Sequence, residues 1–131
     1  MIKFSNRQND FNSYSFTNKN YAAGLFAEEK VASYLKKLDW NILNQRYRCP
    51  FGEIDLIAQR ADYILFVEVK KRKTLRKALF ALTNRQKQRL INSANCYLET
   101  YNMNNINNVQ FDYIILDFQN RIEHLENITA Y

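Results

Sequence analysis

Three residues have the types and spacing to do chemistry together: Asp55, Glu68 and Lys70. Glu68 and Lys70 stand two apart in YILFVEVKK (63–71), whose β-branched and aromatic residues predict a strand. Both side chains therefore project from one face and Val67 and Val69 from the other. Asp55 stands in GEIDLIAQ (52–59), which predicts another strand, and only Arg60-Ala61-Asp62 separates the two runs. A tight hairpin with Arg60 opposite Tyr63 sets Asp55 opposite Glu68 and Glu53 opposite Lys70, all on one face. Opposed residues have Cβ atoms about 4.5 to 5.5 Å apart. Two carboxylates that close repel unless a proton or a cation lies between them. A hard divalent cation, Mg²⁺ or Mn²⁺, suits the pair, because it takes one or two carboxylates and leaves positions for water and phosphate. Lys70 beside it would orient or deprotonate an attacking water, or neutralise charge on the phosphorus centre under attack. A slip of one residue would put Val69 opposite Asp55 and dismantle the group. An isolated E-x-K is ordinarily the wet face of an amphipathic strand. Here an Asp lies across the hairpin and a basic run begins at the lysine itself.

Other elements must position this hairpin. From Tyr21 to Leu38, Ala27, Val31, Tyr34, Leu35 and Leu38 recur at helical spacing and predict a first amphipathic helix. Glu28 lies on the flank of that stripe, where it can reach a sheet-borne site as an accessory acid. Asn41–Arg48 predicts a strand turned by Cys49-Pro50-Phe51-Gly52. Thr83 followed by Gln86 has the spacing of a capping box, and Leu90, Ala94, Tyr97, Leu98 and Tyr101 continue a helix over 84–101. Gln86 and Lys87 at its start can hold a phosphate, or cap the helix and face water. VQFDYIILDF (109–118) predicts an interior strand, and 121–128 a short edge strand. Residues 1–18 are polar and aperiodic and are expected to form a flexible tail before a single domain over 19–131. The order α-β-β-β-α-β, with a helical crossover before the last strand, predicts an α/β fold with a mixed four- or five-stranded sheet flanked by two helices.

Charge points to the partner. The chain has a net charge of +6, and no Asp or Glu occurs from Val69 to Leu98. Lys71, Arg72, Lys73, Arg76 and Lys77 follow Lys70, and Arg85, Lys87 and Arg89 complete the window, which by charge alone is either the electrostatic footprint of a phosphate-binding face or a solvated basic surface. With 47% hydrophobic residues the chain has material for a core. It has neither the roughly 18-residue apolar run of a membrane span nor the apolar stretch of a secretion signal, so no membrane contact and a cytoplasmic location are expected. Cys49 and Cys96 lack metal-ligand spacing and are expected to be reduced thiols. His124, the lone histidine, is expected to be structural or exposed.

These strings together resemble the YraN-like bacterial family of small proteins related to endonucleases. The resemblance is carried by Ala27-Glu28, by GEIDLIA (52–58), by FVEVK (66–70) with Arg72, by Lys87 and by Phe111-Asp112, and it runs from about Tyr21 to Ile128. The family is similar to the PD-(D/E)XK, or restriction-endonuclease-like, superfamily. Its core is a helix, a three-stranded meander, a helix and a fourth strand. The resemblance implies metal and catalytic roles for Asp55, Glu68 and Lys70, a first-helix acid at Glu28 and a second-helix polar position at Gln86 or Lys87. It also implies branched or junction DNA as a substrate class and a homodimer by analogy. Ile54 stands where the motif has proline, and KRKTLRKALFAL replaces a glycine-bearing segment after the lysine. The expectation is a Mg²⁺-dependent DNA endonuclease; the alternative is a nucleic-acid-binding module that keeps the fold without chemistry.

Overall fold

The computed structural model describes residues 15–103 and 105–130. Residues 1–14, most of the expected tail, lie outside that range. The first helix, α1, runs Ser15–Lys37, so it takes in residues 15–18 and begins before Tyr21. Three strands follow, β1 (Asn41–Cys49), β2 (Gly52–Arg60) and β3 (Tyr63–Lys71), then helices α2 (Leu75–Ala81) and α3 (Asn84–Tyr101), then strands β4 (Asn108–Leu116) and β5 (Ile122–Leu125). The observed order is therefore α-β-β-β-α-α-β-β. The helix absent from the sequence reading is α2, which starts at an N-cap Thr74 whose side chain accepts the Lys77 N–H. Among the described residues no helix is long and apolar enough to cross a membrane.

The five strands lie side by side in chain order. β1, β2 and β3 form an antiparallel meander, β4 runs parallel to β3 after the α2–α3 crossover, and β5 returns antiparallel along β4. This is the mixed, restriction-endonuclease-like arrangement expected. Because side chains alternate across the sheet, each face carries its own apolar layer. Ala27, Val31 and Leu35 of α1 pack on Leu56, Ala58, Leu65, Val67 and Ile114. On the other side Leu90, Ala94 and Tyr97 of α3, with Ala78 of α2, pack on Ile54, Ile57, Phe66, Tyr113 and Ile115. The Tyr113 hydroxyl donates to the Ala78 carbonyl at 2.6 Å and anchors α2 to the sheet.

Besides a register shift on β1 between Ile42 and Asn44, alternation breaks on β2. Ile54 and Leu56, two apart on β2, lie in opposite layers, so the strand changes face at Asp55. Across from it, Arg46 of β1 has a left-handed backbone (φ 53°), and pairing resumes in an unchanged register, Gln45↔Leu56 before and Tyr47↔Ile54 after. Matched irregularities on the two strands thus re-aim Arg46 and Asp55 without displacing the sheet, which is a recurrent use of local strand distortion beside functional groups.

Candidate active site where two strands part

The β2–β3 hairpin closes as expected, with Arg60 opposite Tyr63, and keeps that register to Leu56↔Val67. The regular ladder stops there. Instead of continuing as a backbone pair with Glu68, Asp55 turns its carboxylate into the gap, and its Oδ2 accepts the Val69 N–H at 2.8 Å. Val69 is the residue between Glu68 and Lys70, so the side chain of Asp55 is fastened to the middle of the E-x-K. The expected Glu53–Lys70 pair does not form. Glu53 is exposed and meets Arg48 of the neighbouring strand at 3.3 Å, while Lys70 Nζ lies 3.0 Å from Glu68. The reason is the face change at Asp55, which takes Glu53 out of the alternation that the hairpin would otherwise impose.

Glu28 is a buried member of the group rather than a flank residue at the water's edge, with 6% of its surface exposed. Arg46 grips it: Nε lies 3.0 and 3.2 Å from its two carboxylate oxygens and Nη2 lies 2.8 Å from Oε2. Burial raises the Glu28 carboxyl above its ordinary range against the hydrogen bonds and charge of Arg46, and Glu53 and Glu68 add to the rise. Asp55 is pushed further, up to about 8, first by burial and then by Glu68, with Glu28 contributing; the Val69 N–H and Lys70 pull the other way. Without a cation, therefore, Asp55 keeps a proton near neutral pH.

Asp55 and Glu68 fit a divalent cation of the Mg²⁺ type. Both supply oxygen donors, the Glu68 charge acts on Asp55, and the charge that holds a proton on Asp55 would equally be relieved by a cation in its place. The pair is not a closed cage. Among the described residues, three His, Cys, Asp or Glu ligand atoms converge within 4.8 Å only at Asp112, His124 and Glu126.

That second group is one that could hold a metal, and spacing did not reveal it, because no separation along β4 and β5 marks it. His124 Nε2 lies 2.6 Å from Asp112 Oδ2, and its Nδ1 lies 2.9 Å from the Tyr34 hydroxyl of α1. Asp112, fully buried, also accepts from the Gln110 amide (3.0 and 3.1 Å) and from the Asn127 N–H (3.1 Å). Both ring nitrogens already have partners, and the network ties α1, β4 and the end of β5 together. An ion there would have to replace the contact between His124 and Asp112.

Of the residues expected to face nucleic acid, Lys73, Arg76 and Lys77 are exposed, and Lys71, Arg72, Gln86 and Lys87 are half-buried. Lys71 Nζ lies 5.0 Å from the centre of the Phe26 ring, and the Arg72 side chain donates to the Lys71 carbonyl at 2.8 Å. Gln86 is committed to its own helix: its Oε1 accepts the Thr83 N–H at 3.4 Å while the Thr83 hydroxyl accepts the Gln86 N–H at 3.2 Å. The capping reading of Gln86 is the one the geometry bears out. Arg46 is the site residue that sequence reasoning missed. Its only signal was a cation within a strand that also carries Arg48, and spacing did not separate the two.

A family model described as "Uncharacterised protein family UPF0102" matches residues 27–116, most of the chain. The chain belongs to the UPF0102 family. It is 38% identical over 105 residues to a UPF0102 protein of Nitrobacter winogradskyi, covering 80% of this chain and 89% of the relative. It is 35% identical over 105 residues to one of Rhodopseudomonas palustris, covering 80% and 81% of the two chains. A Bradyrhizobium diazoefficiens UPF0102 protein is 44% identical over 81 residues, or 62% and 61% of the two. The UPF0102 match takes in Glu28, Arg46, Asp55, Glu68, Lys70 and Asp112, whereas His124 and Glu126 lie beyond it.

Proposed function

We propose that this UPF0102 protein is a Mg²⁺- or Mn²⁺-dependent endonuclease that hydrolyses phosphodiester bonds in DNA, with branched or junction DNA as the substrate class to test first. The observation that carries the reading is the bond from the Val69 N–H to Asp55, which holds one carboxylate against a Glu-x-Lys strand beside a basic surface. Asp55 and Glu68 would hold the cation, which when bound supplies Lewis-acid stabilisation of the phosphate and a more acidic water. Lys70, now paired to Glu68, presents an ammonium that orients water and offsets charge gathering on the phosphate oxygens as the bond to the leaving sugar oxygen lengthens. Glu28, fixed by Arg46, keeps a negative field behind Asp55 that favours a cation in front. Lys73, Arg76 and Lys77 are exposed and would meet the backbone phosphates flanking the scissile one.

The test is a cleavage panel of linear, single-stranded, flapped and four-way-junction DNA with Mg²⁺ or Mn²⁺. Wild type should cut at least one of these, and Asp55→Asn and Lys70→Ala should each cut at least about a hundredfold more slowly. Variants that cut as well as wild type would sink the proposal. Salt-dependent DNA binding without cleavage and without a Glu68-dependent metal signal would favour a binding module instead.

A further inference from the structure

Two cysteines and a buried serine lie between the β1–β2 turn and α3. Cys49 ends β1 and is paired with Gly52 across the turn, and Cys96 sits in the middle of α3. Both thiols are partly exposed and unbridged. The Tyr47 hydroxyl donates to Cys96 Sγ at 3.6 Å. Ser93, one helical turn before Cys96, is fully buried, and its Oγ completes no hydrogen bond among the described residues. A Cβ added at Gly52, whose φ is +150°, would come within 3.5 Å of that same Oγ, so the glycine brings the turn's backbone up against it.

An unpartnered buried hydroxyl is costly, on the order of 1 to 3 kcal/mol, and asks what would satisfy it. Cys49 stands opposite Gly52 at the turn, and its thiol is the group that interacts with the Ser93 hydroxyl, short of a completed hydrogen bond in this geometry. Burial alone would push the Cys49 thiol up. The Ser93 hydroxyl, the backbone N–H groups of Phe51 and Gly52, and the neighbouring Cys96 outweigh that and hold it below the ordinary thiol value. A neutral thiol is a poor and directional acceptor, whereas a thiolate accepts from many directions. Ionised Cys49 therefore supplies the partner that Ser93 lacks.

We propose that Cys49 and Cys96 form a hydroperoxide-responsive dithiol, with Cys49 the attacking thiolate and Cys96 the resolving thiol. The Cys49 sulfur attacks one peroxide oxygen; the S–O bond forms, the O–O bond breaks, and the departing oxygen takes a proton and leaves as water or alcohol. Cys49 is then a sulfenic acid. Cys96, losing its proton to solvent, attacks that sulfur; the S–S bond forms and the S–O bond breaks, releasing hydroxide that is protonated to water. Two thiols are oxidised to one disulfide and one peroxide is reduced. The bond fastens the turn that precedes Glu53 and Asp55 to the centre of α3, and a thiol reductant reverses it.

The test treats the reduced full-length protein with hydrogen peroxide at pH 7 and maps its peptides without reduction. Wild type should give an intramolecular Cys49–Cys96 link. Cys96→Ser should accumulate a sulfenic acid on Cys49 that dimedone traps. Cys49→Ser should leave Cys96 reduced, with oxidation at least about tenfold slower. Ser93→Ala should slow the reaction about threefold at pH 7 but not at a pH where every thiol is ionised. Dimedone labelling of Cys96 in preference to Cys49, links only between molecules, or both thiols reacting no faster than free cysteine would each overturn the assignment. None of these readouts depends on nuclease activity.

Discussion

Arg46 holds both carboxylate oxygens of Glu28 from a left-handed backbone, with φ 53° on a residue that is not glycine. Such a conformation costs of order 1 to 3 kcal/mol and persists where the surroundings over-determine it. The surroundings here are a helix acid with 8% of its side chain exposed and a strand arginine with 13%. Arg46→Ala leaves Glu28 buried without its cation and should cost about 3 to 5 kcal/mol in urea unfolding. The double variant Glu28→Gln, Arg46→Met removes both charges and should recover much of that. A double-mutant cycle with no coupling would show that the pair does not fasten α1 to the sheet.

Gly24 lies above the same guanidinium. An added Cβ would meet Arg46 Nη2 at 3.5 Å, an ordinary contact. Glycine inside a helix is less favourable than alanine by roughly 0.5 to 1 kcal/mol. Gly24→Ala should therefore raise stability by about that much, and a lower melting temperature would mean that Arg46 cannot give way.

Asp55 gives the cation-free protein a pH dependence, to which the raised Glu28 carboxyl adds in the same direction. The folded pKa of Asp55, about 8, lies above the ordinary 3.8. The stabilisation is whole below the unfolded value and is lost as pH rises towards 8, because the unfolded chain releases this proton first. Asp55→Asn keeps an oxygen for the Val69 N–H and removes the titration. In thermal melts without metal it should gain on wild type steadily from pH 5 to pH 8, by several degrees at the upper end. Parallel curves would mean that Asp55 is not the titrating group.

Cation binding should release the proton that Asp55 carries. Apparent Mg²⁺ affinity should tighten by up to about tenfold per pH unit below 8 and level off above it. Calorimetry in two buffers of different ionisation enthalpy measures the proton directly. Mg²⁺ at about a hundred times its Kd should add about 2.7 kcal/mol of stability, and Glu68→Gln should abolish the gain.

Asp112 accepts hydrogen bonds from Gln110, His124 and Asn127 with no exposed surface. Asp112→Ala strands those donors and should cost at least about 3 kcal/mol by denaturation. Loss of near-ultraviolet signal from Tyr34 would accompany it, since that residue meets His124 at 2.9 Å. An Asp112→Ala protein as stable as wild type would remove this network from the account of how α1 is held.

The sequence was most readable where local rules act alone. The hairpin register from Arg60↔Tyr63, the limits of β3 and the capping box of α3 follow from alternation, turn length and a Thr–Gln spacing. Helix α2 was not legible, because Arg76 and Lys77 read as part of a charge run, and seven residues give too little periodicity to outweigh it. The face change at Asp55 was hidden for another reason. Nothing local demands it; it exists because Arg46, one strand away, bends to reach Glu28, one layer away. The Tyr34–His124 contact spans ninety positions and left no trace in spacing. That Glu28, Asp55, Glu68 and Lys70 lie near one another was legible, and the fastening of Asp55 through Val69 was not.

Every strand in this sheet lies beside the strand made just before it. A chain built this way can be laid down during synthesis by simple addition, with no strand that must later push between two others and little time with an unclaimed edge exposed to aggregation. The acids, the lysine and the arginine gathered around Asp55 all come from residues 28–70, on α1 and the opening meander. All of them are therefore synthesised before the α2–α3 crossover, while β4, which pairs in parallel with β3 and completes the layer under α1, comes later in the chain.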